Sequence, residues 1–164
     1  MRDDITNVVI AGLGGQGVVT ASDILAEAAF RAGCDVKKAE VHGMSQRGGS
    51  VTTDVRFGRR VLSPMVPAGE GDYLVVMEET QADASRARLR PEGRVLLCTE
   101  IDPQALPTAK ALNVAMMGML SAYLEIPEPV WLDALRAGLP EKLHAVNVQA
   151  FQIGRSVGKE KCHA

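Results

Sequence analysis

The order strand, glycine turn, helix, strand at the start of the chain constrains its fold more than any other feature. Residues 5–11 (ITNVVIA) form an apolar, β-branched run, the pattern of a strand covered on both faces. Residues 12–17 (GLGGQG) break it. Residues 18–32 then have helix composition, with Ile24, Leu25, Ala28 and Ala29 on one face. Gly33 suits the position that closes a helix, and a second strand is expected over about 35–41. Strand, crossover helix and strand make a βαβ unit, whose strands are expected to be parallel and whose crossover is right-handed.

Beyond it, residues 51–57 (VTTDVRF) alternate like a half-exposed strand, with Val61 and Leu62 as a candidate hairpin partner. Pro64 and Pro67 stiffen the following connection. Residues 73–77 (YLVVM) read as a buried strand. A short helix capped by Thr80 follows to about residue 89, and Pro91-Glu92-Gly93 turns the chain into a strand over 94–99. The last third reads as helical: 109–124, ended by Pro127 and Pro129, then 131–137 and 146–157. The expected fold is therefore α/β: one domain over residues 1–164, three layers α/β/α, with a mixed, largely parallel sheet and a helical C-terminal third.

Hydrophobic residues make up 46% of the chain and aromatics only 4%, so the core is built from aliphatic side chains and Met. A net charge of -2 with no basic block argues against nucleic acid as a partner. The first apolar run is too short for a membrane span or a signal peptide, which places the chain in the cytoplasm as an expectation. Cys34, Cys98 and Cys162 lie far apart with no C-x-x-C pair, so no zinc or iron–sulfur site is read, and no metal is expected on this chain. Cys34 and Cys98 are expected within strands as buried apolar residues, and Cys162 in a frayed tail.

Two segments carry candidate chemistry. Gly12-Leu13-Gly14-Gly15-Gln16-Gly17 satisfies G-x-G-x-x-G between a strand and a helix, where glycines bring backbone close to a phosphate and the helix N-terminus offers free N–H groups. Glu40, near the end of the second strand, stands where a ribose-binding acid is sought. The same glycines also serve a tight turn and close helix–strand packing, and the short pattern does not separate the two readings. Residues 40–50 (EVHGMSQRGGS) gather Glu40, His42, Gly43, Gln46, Arg47, Gly48 and Gly49 immediately after a strand end. Ligands of parallel α/β sheets bind outside the carboxyl ends of strands, so both segments are candidates for one rim. There Arg47 suits a carboxylate or phosphate held two-pronged, and His42 suits titration near neutrality. The alternative is a surface loop tied by its own hydrogen bonds. Glu78-Glu79 reads as a solvated strand end, and Met116, Met117 and Met119 as core or subunit interface. No catalytic acid, base or nucleophile is assigned.

Taken together, GLGGQG and the E-x-H-G-M-x-Q-R-G-G string resemble the gamma-type subunit or domain of 2-oxoacid:ferredoxin oxidoreductases, most closely the beta-subunit type of the indolepyruvate branch. The resemblance continues through Gly69-Glu70-Gly71-Asp72, Asn113 and residues 147–154. It implies a subunit of a complex that oxidatively decarboxylates 2-oxoacids such as indolepyruvate or pyruvate to acyl-coenzyme A while reducing ferredoxin, and that is inactive alone. It further implies that thiamine diphosphate, Mg and the iron–sulfur clusters belong to a large partner subunit, with coenzyme A as co-substrate and no cofactor bound by this chain alone. Gly12, Gly14, Gly15, Gln16, Gly17 and Arg47 would then form an anion- or coenzyme-A-facing rim. Two other readings stay open: a stand-alone dinucleotide-binding protein using GLGGQG, and a purely structural assembly subunit.

Overall fold

The structure is a computed structural model that describes residues 5–43 and 48–164, so Gln46 and Arg47 lie outside the described residues. Five strands, β1 (Thr6–Leu13), β2 (Asp35–His42), β3 (Ser50–Gly58), β4 (Gly71–Val76) and β5 (Leu89–Leu97), form one sheet in the order β2-β3-β1-β4-β5. β1 runs parallel to β4 and β4 to β5, whereas β3 is antiparallel to both β1 and β2. One strand therefore runs against the other four, which makes the sheet mixed.

The parallel strand-helix-strand crossover expected from the sequence is present, but its two strands are not neighbours. β1, helix α1 (Val18–Arg31) and β2 follow in order, and the two strands point the same way, but β3 is inserted between them. A separate correction concerns Val61 and Leu62, which are not a hairpin partner of β3; β3 already has β2 on one side and β1 on the other. β1 also runs two residues further than its apolar run, because Gly12 and Leu13 pair with Val51 and Ser50. Pro91-Glu92-Gly93 lies inside β5 rather than before it. Gly71 pairs with Leu89 and the next pair is Tyr73 with Arg94, so the intervening residues form a bulge on an edge strand, where proline costs no ladder hydrogen bond.

Alternation of side chains sends Val8 and Ile10 of β1 to one face of the sheet and Val9 and Ala11 to the other. The first face carries the main core. It is covered by α1 and by α3 (Leu112–Ser121), α4 (Glu128–Gly138) and α5 (His144–Cys162), with α4 packed on α1 and α5 on α3. Met116, Met117 and Met119 lie fully inside this core, as does Trp131 against Phe151. α4 starts earlier than expected, since Pro129 occupies its first turn, where a missing N–H costs nothing. α5 extends to Cys162, so that residue closes a helix instead of lying in a frayed tail.

The second face is covered thinly. Its cluster is Val9, Ala11, Leu74 and Val76 from the sheet, joined by Val66 and Ala82. The helix expected over residues 80–89 is broken into two 3-10 turns around the four-residue α2 (Ala82–Ser85). The rest of the cover is residues 59–70, which lie outside every helix and strand. Cys34 and Cys98 flank strands rather than lying in them, and both are half-buried.

Candidate functional site

The two glycine-rich segments meet at the carboxyl end of β1. Gly14 N–H donates to Gly49 O at 2.9 Å, which stitches the polar segment to the first loop by backbone, and Gly43 N–H donates to Ser50 O at 2.6 Å, which closes the polar segment on itself. Gly12, Gly14, Gly15, Gln16, Gly17, Gly43, Gly48 and Gly49 thus lie together at this end of the sheet, referred to below as the glycine rim. Gly17 sits at the start of α1 with φ 78, a left-handed conformation that suits glycine. A Cβ there would overlap the Asn113 side chain, whose Nδ2 donates to Gly17 O at 3.2 Å. The loop is consequently wedged between β1 and the N-terminal turn of α3.

Gln16 is central to the loop. Its Oε1 accepts Leu13 N–H at 2.7 Å and its Nε2 donates to Glu78 Oε2 at 3.1 Å. A carboxylate only accepts, so Glu78 fixes which end of the Gln16 amide faces the loop. Glu78 is therefore no bystander at a solvated strand end: it is half-buried at the end of β4 and braces the turn. Its negative charge also helps burial hold the nearby Cys98 thiol above its ordinary pKa. Glu78 and Asn113 are the two supporting residues that motif reading missed. Glu78 had a signal, since it follows the strand next to β1. Asn113 had one only in the family resemblance, which gave it no role; packing of α3 is what brings it to Gly17.

Glu40 and His42 are placed differently. β2 is two strands from β1, about 9.6 Å away in the ladder direction, rather than adjacent as a ribose-binding acid requires. The Glu40 carboxylate is held at 3.1 Å by Lys38 Nζ, which with His42 draws its pKa below the usual range. His42 Nε2 lies 3.6 Å from Glu40 Oε2, and Lys38 also bonds Asp23 of α1. Burial lowers the Lys38 pKa, but these two carboxylates outweigh it and the net shift is upward. This charged row secures α1 to the edge strand.

At the opposite end of the sheet a cavity of about 280 Å³ opens, lined by Cys34, Phe57, Tyr73, Arg90 and Tyr123 among others. It shares no residue with the glycine rim. Among the described residues no three His, Cys, Asp or Glu side chains converge as a metal-binding group, and no helix is long and apolar enough to cross a membrane.

Over residues 7–157 the chain matches the family described as pyruvate ferredoxin/flavodoxin oxidoreductase. It is 51% identical to indolepyruvate oxidoreductase subunit IorB of Pyrococcus horikoshii, covering 94% of this chain and 96% of that protein. The fold matches the keto/oxoacid ferredoxin oxidoreductase gamma subunit of Geobacter sulfurreducens with a TM-score of 0.80 at 19% identity, over 94% of this chain and 97% of that one. It also matches 2-oxoglutarate:ferredoxin oxidoreductase of Magnetococcus marinus, solved with 2-oxoglutarate, coenzyme A and succinyl-CoA bound. That match has a TM-score of 0.80 at 19% identity and covers 97% of this chain but 32% of the other. The chain belongs to the pyruvate ferredoxin/flavodoxin oxidoreductase family.

Proposed function

We propose that this chain is the small subunit of a 2-oxoacid:ferredoxin oxidoreductase complex acting on arylpyruvates of the indolepyruvate type. The observation that carries this reading is the near end-to-end match to a protein named as a subunit of indolepyruvate oxidoreductase. Decarboxylation on thiamine diphosphate and electron transfer through iron–sulfur clusters to ferredoxin are assigned to a large partner subunit. The three cysteines here stand before β2, after β5 and at the end of α5, so they do not form a cluster donor set.

What this chain supplies is the glycine rim. Gly12, Gly14, Gly15, Gln16 and Gly17, with Gly43, Gly48 and Gly49, present backbone at the start of α1, and Gln46 and Arg47 belong to the segment between. Two facts support an anion-facing role: the rim stands at a helix N-terminus, and the sequence has Arg47 immediately before Gly48. We assign it to the acidic part of coenzyme A at the subunit boundary. The dinucleotide reading is weaker, because β3 lies where the ribose-binding strand would be.

The test is oxoacid-dependent viologen reduction by the co-purified pair against each chain alone. Activity from the pair only, with indolepyruvate preferred, is expected; a fully active lone large subunit overturns the reading. Within the pair, Arg47→Ala should raise KM for coenzyme A about tenfold, the size of a lost charge-assisted hydrogen bond. Glu78→Gln removes a negative charge beside the rim while keeping an acceptor for Gln16, so it should lower that KM. Unchanged values in both variants remove the rim from the site.

A further inference from the structure

Asparagine ranks low as a helix residue, because its short amide competes for nearby backbone groups. Asn113 nevertheless stands in the first turn of α3, buried and only 8% exposed. It does not cap that helix, which has no side-chain cap. Its Nδ2 donates instead to Gly17 O at 3.2 Å, across 96 residues of sequence. Gly17 O also accepts Ala21 N–H at 3.0 Å, the first hydrogen bond of α1. One carbonyl thus takes two donors, one from its own helix and one from α3.

The direction of that carbonyl has a consequence at the rim. A trans peptide is planar, with its N–H pointing opposite to its C=O, and no peptide among the described residues is cis. Holding the Gly17 carbonyl therefore also fixes Val18 N–H, which points out of the N-terminal end of α1, the side on which the glycine loop lies. That N–H is one of the first-turn donors that a helix leaves without an intrahelical partner. The post behind Asn113 is rigid. α3 meets α5 at backbone distance: a Cβ on Gly118 would come within 2.0 Å of Phe151 O, and one on Gly158 within 2.4 Å of Met119 O. The contact at Gly17 is as close, since a Cβ there would lie 2.3 Å from Asn113 Nδ2. Glycine at 17 and asparagine at 113 fit one another, and a left-handed glycine has the most backbone freedom to regain if that hold is lost.

We propose that Asn113 is a positioning residue for coenzyme A. By holding the Gly17–Val18 peptide plane from a fixed helix, it keeps the first backbone donor of α1 aligned on the acidic part of that co-substrate. Asn113 touches the peptide and not the ligand, so it acts on coenzyme A affinity and not on the chemical step. This rests on the reading above that the glycine rim faces coenzyme A.

The experiment compares steady-state kinetics of the co-purified pair in wild type, Asn113→Leu, Asn113→Asp and Arg47→Ala. Leucine and aspartate both keep nearly the shape of asparagine, and neither supplies the Nδ2 donor. Both Asn113 variants should raise KM for coenzyme A about fivefold, the size of one neutral hydrogen bond, with kcat and KM for the oxoacid unchanged. A role in packing alone predicts the opposite for Asn113→Leu, because the space stays filled. Wild-type KM in both Asn113 variants, while Arg47→Ala raises it, overturns this inference alone. Wild-type KM in all three overturns the coenzyme A reading and the inference with it. A fall in kcat and in the thermal midpoint of the pair together with a rise in every KM, or loss of assembly in both Asn113 variants, assigns Asn113 to structure and overturns the positioning role.

Discussion

At the residue scale, several side chains are defined by what they touch rather than by their type. Gly154 lies where α5 crosses α3; a Cβ there would overlap the carbonyl of Ala115, and Gly118 and Gly158 meet backbone of the facing helix in the same way. Gly154→Ala must push the two helices apart, so it should cost about 3 kcal/mol, read as a lowered urea midpoint. Thr53 behaves oppositely. Its hydroxyl is fully buried and finds no hydrogen-bond partner among the described residues. Thr53→Val keeps the shape and removes an unpaid desolvation, so stability should rise by about 1 kcal/mol; a comparable loss would show that the hydroxyl is satisfied. Neither outcome can be read from a single sequence. Gly154 looks like any helix glycine and Thr53 like any strand threonine until the opposing element is known.

At the scale of elements, the connection over residues 59–70 is tied to the sheet by two acids. Asp54 is buried and joined to Arg88 Nη2 at 2.6 Å as well as to Val66 N–H. Asp54→Ala strands the Arg88 guanidinium and frees the Val66 N–H of the connection. It should cost about 3 kcal/mol, measured by chemical unfolding. Asp35 sits on the surface, and its pKa lies below the ordinary range, chiefly because Val61 N–H, and then Lys37, favour the ionised form. A lowered folded-state pKa means that this contribution is complete above the unfolded value, about 4, and fades as pH falls through the folded value. Amide exchange at Val61, followed from pH 5 downward, should therefore quicken relative to its intrinsic rate. Asp35→Ala should abolish that extra acceleration. The element boundaries that sequence placed well, α1 and β2, have clear glycine and periodic signals. Those it misplaced, β5 and the broken helix after β4, depend on register and on what covers the second face.

At the scale of the whole molecule, the helical layer and the thin layer divide the labour. The helix-covered face holds the main core, Met-rich and closed by α3 on α5, and accounts for why Met116, Met117 and Met119 are interior. The glycine rim stands at one end of the sheet and the cavity at the other, so a ligand at the rim and an occupant of the cavity would not compete. Residues 59–70 lie over a face of the sheet, away from the rim. If the rim assignment holds, Arg47→Ala should alter coenzyme A dependence in a complex of normal affinity.

By itself the sequence determined the α/β class, the strand and helix that flank the glycine turn, the absence of a C-x-x-C pair, and a family-specific string around Gly43 and Gly48. These are local properties: apolar periodicity, breaker residues and motif spacing act over a few residues and do not need the rest of the chain. Tertiary structure alone decided that β3 intervenes between β1 and β2, that Glu78 and Asn113 brace the glycine turn, and that the sheet keeps one thinly covered face. Each of these is a pairing between residues far apart in sequence, chosen by competition among long-range contacts that no local pattern records.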